Sequence, residues 1–256
     1  SMKRYSIIVI LASLLLTSLR LQSPKTAEIN IAVASNFLPT AQKLVRTFEK
    51  QFSIQASISS GSTGQLFAQI TQGAPFDVFF AADQKSCDEL VIRGHATRNN
   101  TRIYAVGRLV LFAPDHTSKE IPKKYASNDY RYIAIANPTL APYGWAAQQV
   151  MNSHPILLTA QVLRGNNARS SLNYAMINRS TAAFTSLALT KDLGDHHWLI
   201  PQKYYSPILQ KSALLSHGAS KASAQKFWAF ISSPRSKEIL KESGYSLPVV
   251  ISESVA

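Results

Sequence analysis

The fold is decided by residues 29–52, INIAVASNFLPTAQKLVRTFEKQF, in which an apolar run gives way to a periodic one. The run Ile29–Ala34 is apolar except for Asn30 and predicts a buried strand. Pro39 suits the first turn of a helix. Behind it, apolar residues recur at helical spacing, at Ala41, Leu44, Val45, Phe48 and Phe52. The stretch therefore predicts a strand followed by an amphipathic helix.

The same alternation continues along the chain. Further strands are predicted at 54–59, 77–82, 108–112, 132–136, 182–187 and 208–215. After a loop at 60–64, a short helix is predicted through 66–70, and further helices are predicted at 84–93, from 144 onward, and at 169–178, 219–232 and 234–243. Strands that alternate with helices indicate an α/β fold with a largely parallel sheet.

The length and composition allow one large domain or two moderate ones. The chain has 256 residues, and its apolar content of 46% can bury a substantial core. The strand and helix pattern restarts near Tyr132 after a polar stretch, which predicts a second lobe. We expect the first part of lobe 1 at 28–107, lobe 2 at 108–207, and a return strand with the C-terminal helices of lobe 1 at 208–256.

The N-terminal segment has the pattern of a secretory signal. Lys3 and Arg4 precede an apolar run of 13 residues, 7–19. At about 1.5 Å per helical residue, that run is shorter than the roughly 30 Å hydrocarbon core of a membrane. We therefore expect residues 1–27 to be a cleaved signal peptide and the mature protein to be periplasmic.

The charge is strongly basic. The chain carries a formal +13, and removal of Lys3, Arg4, Arg20 and Lys25 with the signal leaves +9 on residues 28–256. The basic residues are scattered, without a basic run or interleaved aromatic residues, which indicates a solvated surface and no nucleic-acid partner. A basic envelope protein that binds polyanions by charge stays an alternative.

Enzymatic patterns do not emerge from the sequence. The segment 61–64, Gly-Ser-Thr-Gly, lacks the ending of a phosphate-binding P-loop and is not a nucleophile elbow. Cys87 is the single cysteine, and the six histidines show no metal-ligand spacing. The pair His196-His197 is interpreted as part of a surface loop. We predict that the protein is not an enzyme and has no cofactor.

Small polar residues cluster at four places where a strand or loop gives way to a helix. These segments are Ser35-Asn36, Ser62-Thr63-Gly64, residues 141–144 (Ala-Pro-Tyr-Gly) and residues 166–168 (Asn-Asn-Ala). Any one of them can be explained as an ordinary helix cap. Several helix N-termini aimed at one point would bind an anion through unpaired N–H groups, with the hydroxyls of Ser35, Thr63 and Tyr143 as further donors.

Five segments together resemble the periplasmic molybdate-binding proteins of ABC transporters. They are 33–37 (VASNF), 61–70 (GSTGQLFAQI), 73–79 (GAPFDVF), 82–83 (AD) and 137–144 (NPTLAPYG). The resemblance covers nearly all of residues 28–250. It implies a two-lobed α/β, type II periplasmic-binding-protein fold, in which each lobe is a mixed sheet flanked by helices. Two crossover strands would form the hinge, and the anion would lie between the lobes.

The resemblance also implies which residues bind the anion. Molybdate or tungstate would be held chiefly through Ser35, Thr63, Tyr143 and the main chain of Ala168. The full set of expected ligand-binding residues is Ser35, Asn36, Ser62, Thr63, Tyr143, Ala168 and Ser186. The expected partners are the oxyanion and a membrane ABC permease, and we expect a monomer.

Other ligands stay open within the same fold. Sulfate and phosphate are tetrahedral oxyanions, and ferric-ion receptors of this architecture use an adjacent tyrosine pair, which Tyr204-Tyr205 could imitate. We interpret this pair as structural packing, because the resemblance places an aromatic-Pro-Ile pattern at this point of the chain.

Overall fold

A computed structural model of the chain describes residues 28–153 and 159–249. The predicted signal peptide, residues 1–27, lies outside the described residues. Within the two described ranges, none of the helices combines the length and the apolar character needed to span a membrane.

The described residues form two five-stranded sheets with helices around them. The strands are β1 (Ile29–Ala34), β2 (Ala56–Gly61), β3 (Val78–Phe80), β4 (Ala96–Gly107), β5 (Leu109–Phe112), β6 (Tyr132–Ala136), β7 (Gln161–Gly165), β8 (Thr181–Ser186), β9 (His197–Leu199) and β10 (Ile208–Leu215). The helices are α1 (Leu38–Phe52), α2 (Thr63–Thr71), α3 (Lys85–Ile92), α4 (Ile121–Ala126), α5 (Pro142–Ser153), α6 (Ala168–Ile177), α7 (Leu187–Thr190), α8 (Ser216–Ala219), α9 (Ala222–Phe230) and α10 (Pro234–Glu242), with 3-10 turns at Ser35–Phe37 and Gln202–Tyr204.

Both sheets are mixed. The first has the strand order β2-β1-β3-β10-β4, in which β1 pairs in parallel with β2 and β3 while β10 is antiparallel to β3 and β4. The second has the order β7-β6-β8-β5-β9, with a parallel set around β6 and antiparallel pairs on either side of β5. This two-lobed α/β architecture with mixed sheets is the fold that the family resemblance implied. The largely parallel sheet that the alternation alone indicated was wrong, because two of the four strand pairs in each sheet are antiparallel.

The chain passes between the sheets at two places. Arg108 separates β4 of the first sheet from β5 of the second, and the chain returns to the first sheet at β10. Gly107 at the end of β4 pairs with Ile208 at the start of β10, so the two crossings lie side by side. The exact lobe boundaries stay predictions.

Successive residues of β1 pack alternately into the hydrophobic clusters on the two faces of the first sheet. Ile31 and Val33 pack into the cluster around α1, α9 and α10, and Ala32 between them packs into the cluster on the other face, with α2 and α3. Buried Asp77 accepts a hydrogen bond from the Asn30 main chain at 2.8 Å and contacts His217 Nδ1, also at 2.8 Å. This carboxylate therefore ties α8 to the start of the sheet.

Three strands were not predicted: β4, β7 and β9. Each lies at an edge of its sheet, where one side has no strand neighbour and the apolar alternation is weak. The interpretation of His196-His197 as a surface loop pair was wrong for His197, whereas His196 does lie in the loop before β9. His197 begins β9 and pairs with Phe112, and His196 Nδ1 lies 3.0 Å from the carbonyl oxygen of His116.

Candidate functional site

A small cavity lies where the two sheets face each other. About 10 Å³ inside it is open to the centre of a water molecule, which is the space that about one water molecule needs. The described residues that line it come from the ends of β1 and β2, the 3-10 turn after β1, the loop after β3 and the starts of α2, α5 and α6: Ala34, Ser35, Asn36, Gly61, Ser62, Thr63, Ala82, Ala141, Pro142, Tyr143, Asn167 and Ala168.

The first turn of α2 leaves one main-chain donor for the cavity. Ser62 and Gln65 form a capping box, in which Ser62 Oγ accepts from the Gln65 N–H at 3.2 Å. The Gly64 N–H donates across the cleft to the Leu140 carbonyl at 2.9 Å. The N–H of Thr63 has no acceptor within the described part of the chain, because a helix start has no intrahelical partner for it.

The first turn of α6 has the same arrangement. Asn167 and Ser170 form a capping box, and the Arg169 N–H donates to Ser35 Oγ at 3.4 Å. The N–H of Ala168 is left without an acceptor among the described residues. Ser35 follows β1 and Arg169 belongs to α6, so this contact also joins the two lobes.

The buried hydroxyls of Ser35 and Thr63 each keep a proton for a ligand. Ser35 Oγ accepts from the Arg169 N–H, and Thr63 Oγ1 accepts from the Ala82 N–H at 3.0 Å. A hydroxyl has one donor hydrogen in addition to its acceptor lone pairs. Because these two hydroxyls are held as acceptors, their O–H groups are available to donate to an anion.

The start of α5 contributes main chain, held close to β6. Pro142 is the first residue of the helix, and the N–H of Tyr143 has no acceptor among the described residues. A Cβ on Gly144 would overlap the Ala136 carbonyl oxygen and lie 2.7 Å from its carbon. Only glycine at this position lets the helix start approach the end of β6 so closely.

The hydroxyl of Tyr143, which the sequence suggested as a ligand donor, is hydrogen-bonded to other side chains of the protein. Tyr143 Oη donates to Gln210 Oε1 at 2.9 Å and accepts from Ser186 Oγ at 3.3 Å. Complete burial raises the pKa of Tyr143 well above its ordinary value, so the phenol stays protonated. Its single proton is donated to Gln210, whereas the main-chain N–H of Tyr143 has no acceptor among the described residues.

Asn36 and Ser186 also point into this polar network. Asn36 Nδ2 donates to Gln210 Oε1 at 2.8 Å and to Tyr245 Oη at 2.9 Å, which uses both of its hydrogens. Ser186 is completely buried and is not among the residues that line the cavity. Its hydroxyl donates to Tyr143 Oη at 3.3 Å, so in this structure Ser186 contacts the network next to the cavity.

The structure thus brings six of the seven expected residues to one cavity: Ser35, Asn36, Ser62, Thr63, Tyr143 and Ala168. Sequence reasoning missed Gln210, Tyr104 and Tyr245. Gln210 Nε2 donates to Tyr104 Oη at 2.7 Å, and Tyr245 Oη donates to the Asn36 carbonyl at 2.9 Å. Gln210 had a signal in the sequence, since it stands at a buried alternate position of the apolar strand β10.

The electrostatic potential in the cavity arises from partial charges of the main chain. None of the described residues that line it carries a formally charged side chain. The positive potential comes from the N-termini of α2, α5 and α6, each equivalent to roughly half a unit charge. The arrangement is suited to hold a small anion that needs hydrogen-bond donors and no acceptors.

The tyrosine pair Tyr204-Tyr205 has a packing role. Tyr205 is buried in the core of the second sheet, and its hydroxyl accepts from the Leu109 N–H at 3.1 Å. Tyr204 is half-buried and contacts the Lys203 ammonium group through its ring. Neither residue lines the cavity.

The chain is similar to known proteins in sequence and in fold. The chain is 33% identical to the molybdate-binding protein ModA of Rhodobacter capsulatus over 222 residues, which cover 85% of this chain and 88% of the relative. The periplasmic molybdate-binding protein of Azotobacter vinelandii superposes with a TM-score of 0.81 at 35% identity, over 87% of this chain and 100% of that structure.

A more distant structure shares the fold alone. The sulfate-binding protein SubI of Mycobacterium tuberculosis superposes with a TM-score of 0.65 at 13% identity, over 86% of each chain. The family described as bacterial extracellular solute-binding protein matches residues 29–246. With this match, the two-lobed fold and a cavity between the lobes, the chain belongs to the bacterial extracellular solute-binding protein family.

Proposed function

We propose that this protein captures molybdate or tungstate outside the cytoplasm and delivers it to a membrane ABC permease. The observation that carries the proposal is the set of uncommitted donors around one cavity: the N–H groups of Thr63, Tyr143 and Ala168 and the hydroxyls of Ser35 and Thr63. The ligand named for the relatives at 33% and 35% identity has the chemistry that these donors suit.

The donor set favours a fully ionised tetrahedral oxyanion. Near neutral pH, phosphate carries a proton that needs an acceptor, and the cavity lining contains no Asp or Glu among its described residues. A buried donor left unpaired costs about 1–3 kcal/mol. Molybdate, tungstate and sulfate have no such proton, so size must separate sulfate from the two larger ions.

The ferric-ion alternative is less well supported. It needs the adjacent tyrosines as phenolate ligands, whereas the Tyr205 hydroxyl accepts a main-chain hydrogen bond inside the core of the second lobe. Burial also raises the pKa of Tyr205, which opposes formation of a phenolate. Binding of polyanions by surface charge alone would leave the enclosed cavity unused.

The proposal is tested by a thermal-shift and calorimetric panel on ligand-free protein. Molybdate, tungstate, sulfate, phosphate and ferric citrate are added separately at one pH and ionic strength. A ligand at about a hundred times its dissociation constant adds about 2.7 kcal/mol of stability, which raises the melting temperature visibly. Stabilisation by ferric citrate alone, or by none of the oxyanions, would contradict the proposal.

Export and assembly are part of the same proposal. The predicted signal peptide, residues 1–27, and the family match support a location outside the cytoplasm. Enclosure of the cavity by both lobes of one chain supports action as a monomer, because no second copy is needed to complete the site.

A further inference from the structure

A polar network lies behind the cavity, at the point where both crossings between the lobes meet. Tyr143 belongs to α5 and the core of the second lobe, whereas Gln210 belongs to β10 of the first sheet. Tyr143 Oη donates to Gln210 Oε1 at 2.9 Å, and Asn36 Nδ2 donates to the same oxygen at 2.8 Å. The Tyr143–Gln210 hydrogen bond therefore connects one lobe with the other.

The network is fully buried and its members are oriented. Gln210 is completely buried, and its Nε2 is held by Tyr104 Oη, which itself donates to the Ala81 carbonyl at 2.9 Å. This chain of donors fixes the amide so that Oε1 faces Tyr143. On the other side, Ser186 Oγ donates to Tyr143 Oη at 3.3 Å and fixes the phenol.

Gly107 provides the space for this contact. It is the last residue of β4 and pairs with Ile208 at the start of β10, beside both crossings. A Cβ on Gly107 would overlap Tyr143 Oη and lie 2.8 Å from Gln210 Oε1. Glycine at this position therefore leaves free the space that the Tyr143 hydroxyl occupies.

We propose that Tyr143, Gln210 and Gly107 form a hinge lock, in which the Tyr143 hydroxyl binds Gln210 only when the lobes are closed and so sets the affinity for the ligand. Hydrogen bonds weaken steeply with distance and angle, so a displacement of about 1 Å at the hinge is enough to break this one. Tyr143 is also the residue whose N–H faces the cavity. Gln210 is therefore a positioning residue that acts on the ligand through Tyr143.

The hinge lock predicts a specific kinetic effect. A ligand held between lobes leaves after they open, so a weaker closed state raises the dissociation rate more than it changes the association rate. Loss of one net hydrogen bond changes the closing equilibrium by about two- to tenfold. The ligand arm of the test rests on the proposed function, because it needs molybdate to bind.

Tyr143→Phe removes the hydroxyl and keeps the ring. Tyr205→Phe is the matched control, since it removes another buried tyrosine hydroxyl whose partner, the Leu109 N–H, does not cross the cleft. Gly107→Ala is the second variant. Its added methyl group would overlap the Tyr143 hydroxyl and so disturb the same hydrogen bond. All three proteins are compared with the wild type for melting temperature, molybdate dissociation rate and amide hydrogen exchange.

The exchange measurement does not depend on a ligand. The Gly64 N–H donates to the Leu140 carbonyl across the cleft, so its protection in ligand-free protein reports the closed state. In ¹⁵N-labelled protein, we expect Tyr143→Phe and Gly107→Ala to exchange this amide at least threefold faster than the wild type. We expect the same two variants to release molybdate at least threefold faster, and Tyr205→Phe to change neither rate.

The outcomes separate the two proposals. Unchanged Gly64 exchange and unchanged molybdate release in Tyr143→Phe would overturn the hinge lock, and so would equal effects in Tyr143→Phe and Tyr205→Phe. Wild-type protein that binds no oxyanion would contradict the proposed function. In that case the Gly64 exchange alone still decides whether the lock exists.

Discussion

Ser35 Oγ accepts a hydrogen bond from the main-chain N–H of Arg169 at 3.4 Å, which joins the end of β1 to the first turn of α6 across the cleft. The acceptor side of the hydroxyl is thereby occupied by the opposite lobe, while its proton remains for the cavity. Ser35 therefore contacts the opposite lobe and keeps a donor hydrogen through the same hydroxyl.

Ser35→Ala is expected to weaken molybdate binding by about tenfold to a hundredfold, because a hydrogen bond to a charged group contributes about 1.5–3 kcal/mol. Calorimetric titration measures the loss, and the ligand-free protein should also lose some stability, because the variant leaves the Arg169 N–H without its acceptor. Ser35→Thr keeps the hydroxyl and is the control. Equal affinity in Ser35→Ala and wild type would remove Ser35 from the site.

Thr63→Ala is expected to have an effect of the same size on binding, about tenfold to a hundredfold, and an additional effect on stability. Its hydroxyl accepts from the Ala82 N–H, which the variant leaves unpaired. Thr63→Ser retains the hydroxyl and should restore both properties. If Thr63→Ser is folded but does not bind molybdate, the methyl group of Thr63 and not its hydroxyl is needed for binding.

Molybdate and tungstate are expected to bind more tightly than phosphate by about fivefold to more than a hundredfold, the equivalent of about 1–3 kcal/mol for one unpaired proton. The affinity for sulfate should be intermediate. Sulfate has no proton that needs an acceptor, but its S–O bonds are shorter, so its hydrogen bonds to the two lobes would be longer and weaker. The measurement is calorimetric titration with all four anions at one pH. Phosphate that binds as tightly as molybdate would contradict a site made only of donors.

Gly144→Ala is expected to destabilise the protein by about 1–3 kcal/mol, because the added methyl group forces the start of α5 away from the Ala136 carbonyl. The free energy of unfolding is measured by urea titration. Gly61→Ala is the control, since a Cβ at Gly61 would meet its nearest neighbour at an ordinary 3.6 Å. Wild-type stability in Gly144→Ala would mean that the helix start is not packed as described.

Tyr205→Phe is expected to cost about 1–3 kcal/mol of stability, because the Leu109 N–H loses its buried acceptor. Molybdate affinity should stay within about twofold of the wild type, far below the effect of losing a bond to a charged group. Chemical unfolding and titration separate the two quantities. Abolished ligand binding in this variant, with Thr63→Ala silent, would favour the ferric-ion alternative instead.

The strand and helix order was predictable from local patterns. The predicted bounds of β1, β6 and β10 coincide with the observed Ile29–Ala34, Tyr132–Ala136 and Ile208–Leu215. These strands lie inside their sheets, where neighbours on both sides bury the apolar residues that make the pattern visible. The missed strands β4, β7 and β9 are edge strands, whose exposed residues blur that pattern.

The residue types of the candidate site were also readable from the sequence, because helix starts favour small polar residues and leave N–H groups unpaired. The direction of each side chain was decided only by the tertiary structure. Thr63 is held by Ala82, Ser35 by Arg169, and Tyr143 by Gln210, partners that lie 19, 134 and 67 residues away. A local sequence pattern shows which groups can donate a hydrogen bond. Which of these donors remain free for a ligand is decided by partners that are distant in the sequence, because those partners either take the proton or leave it available.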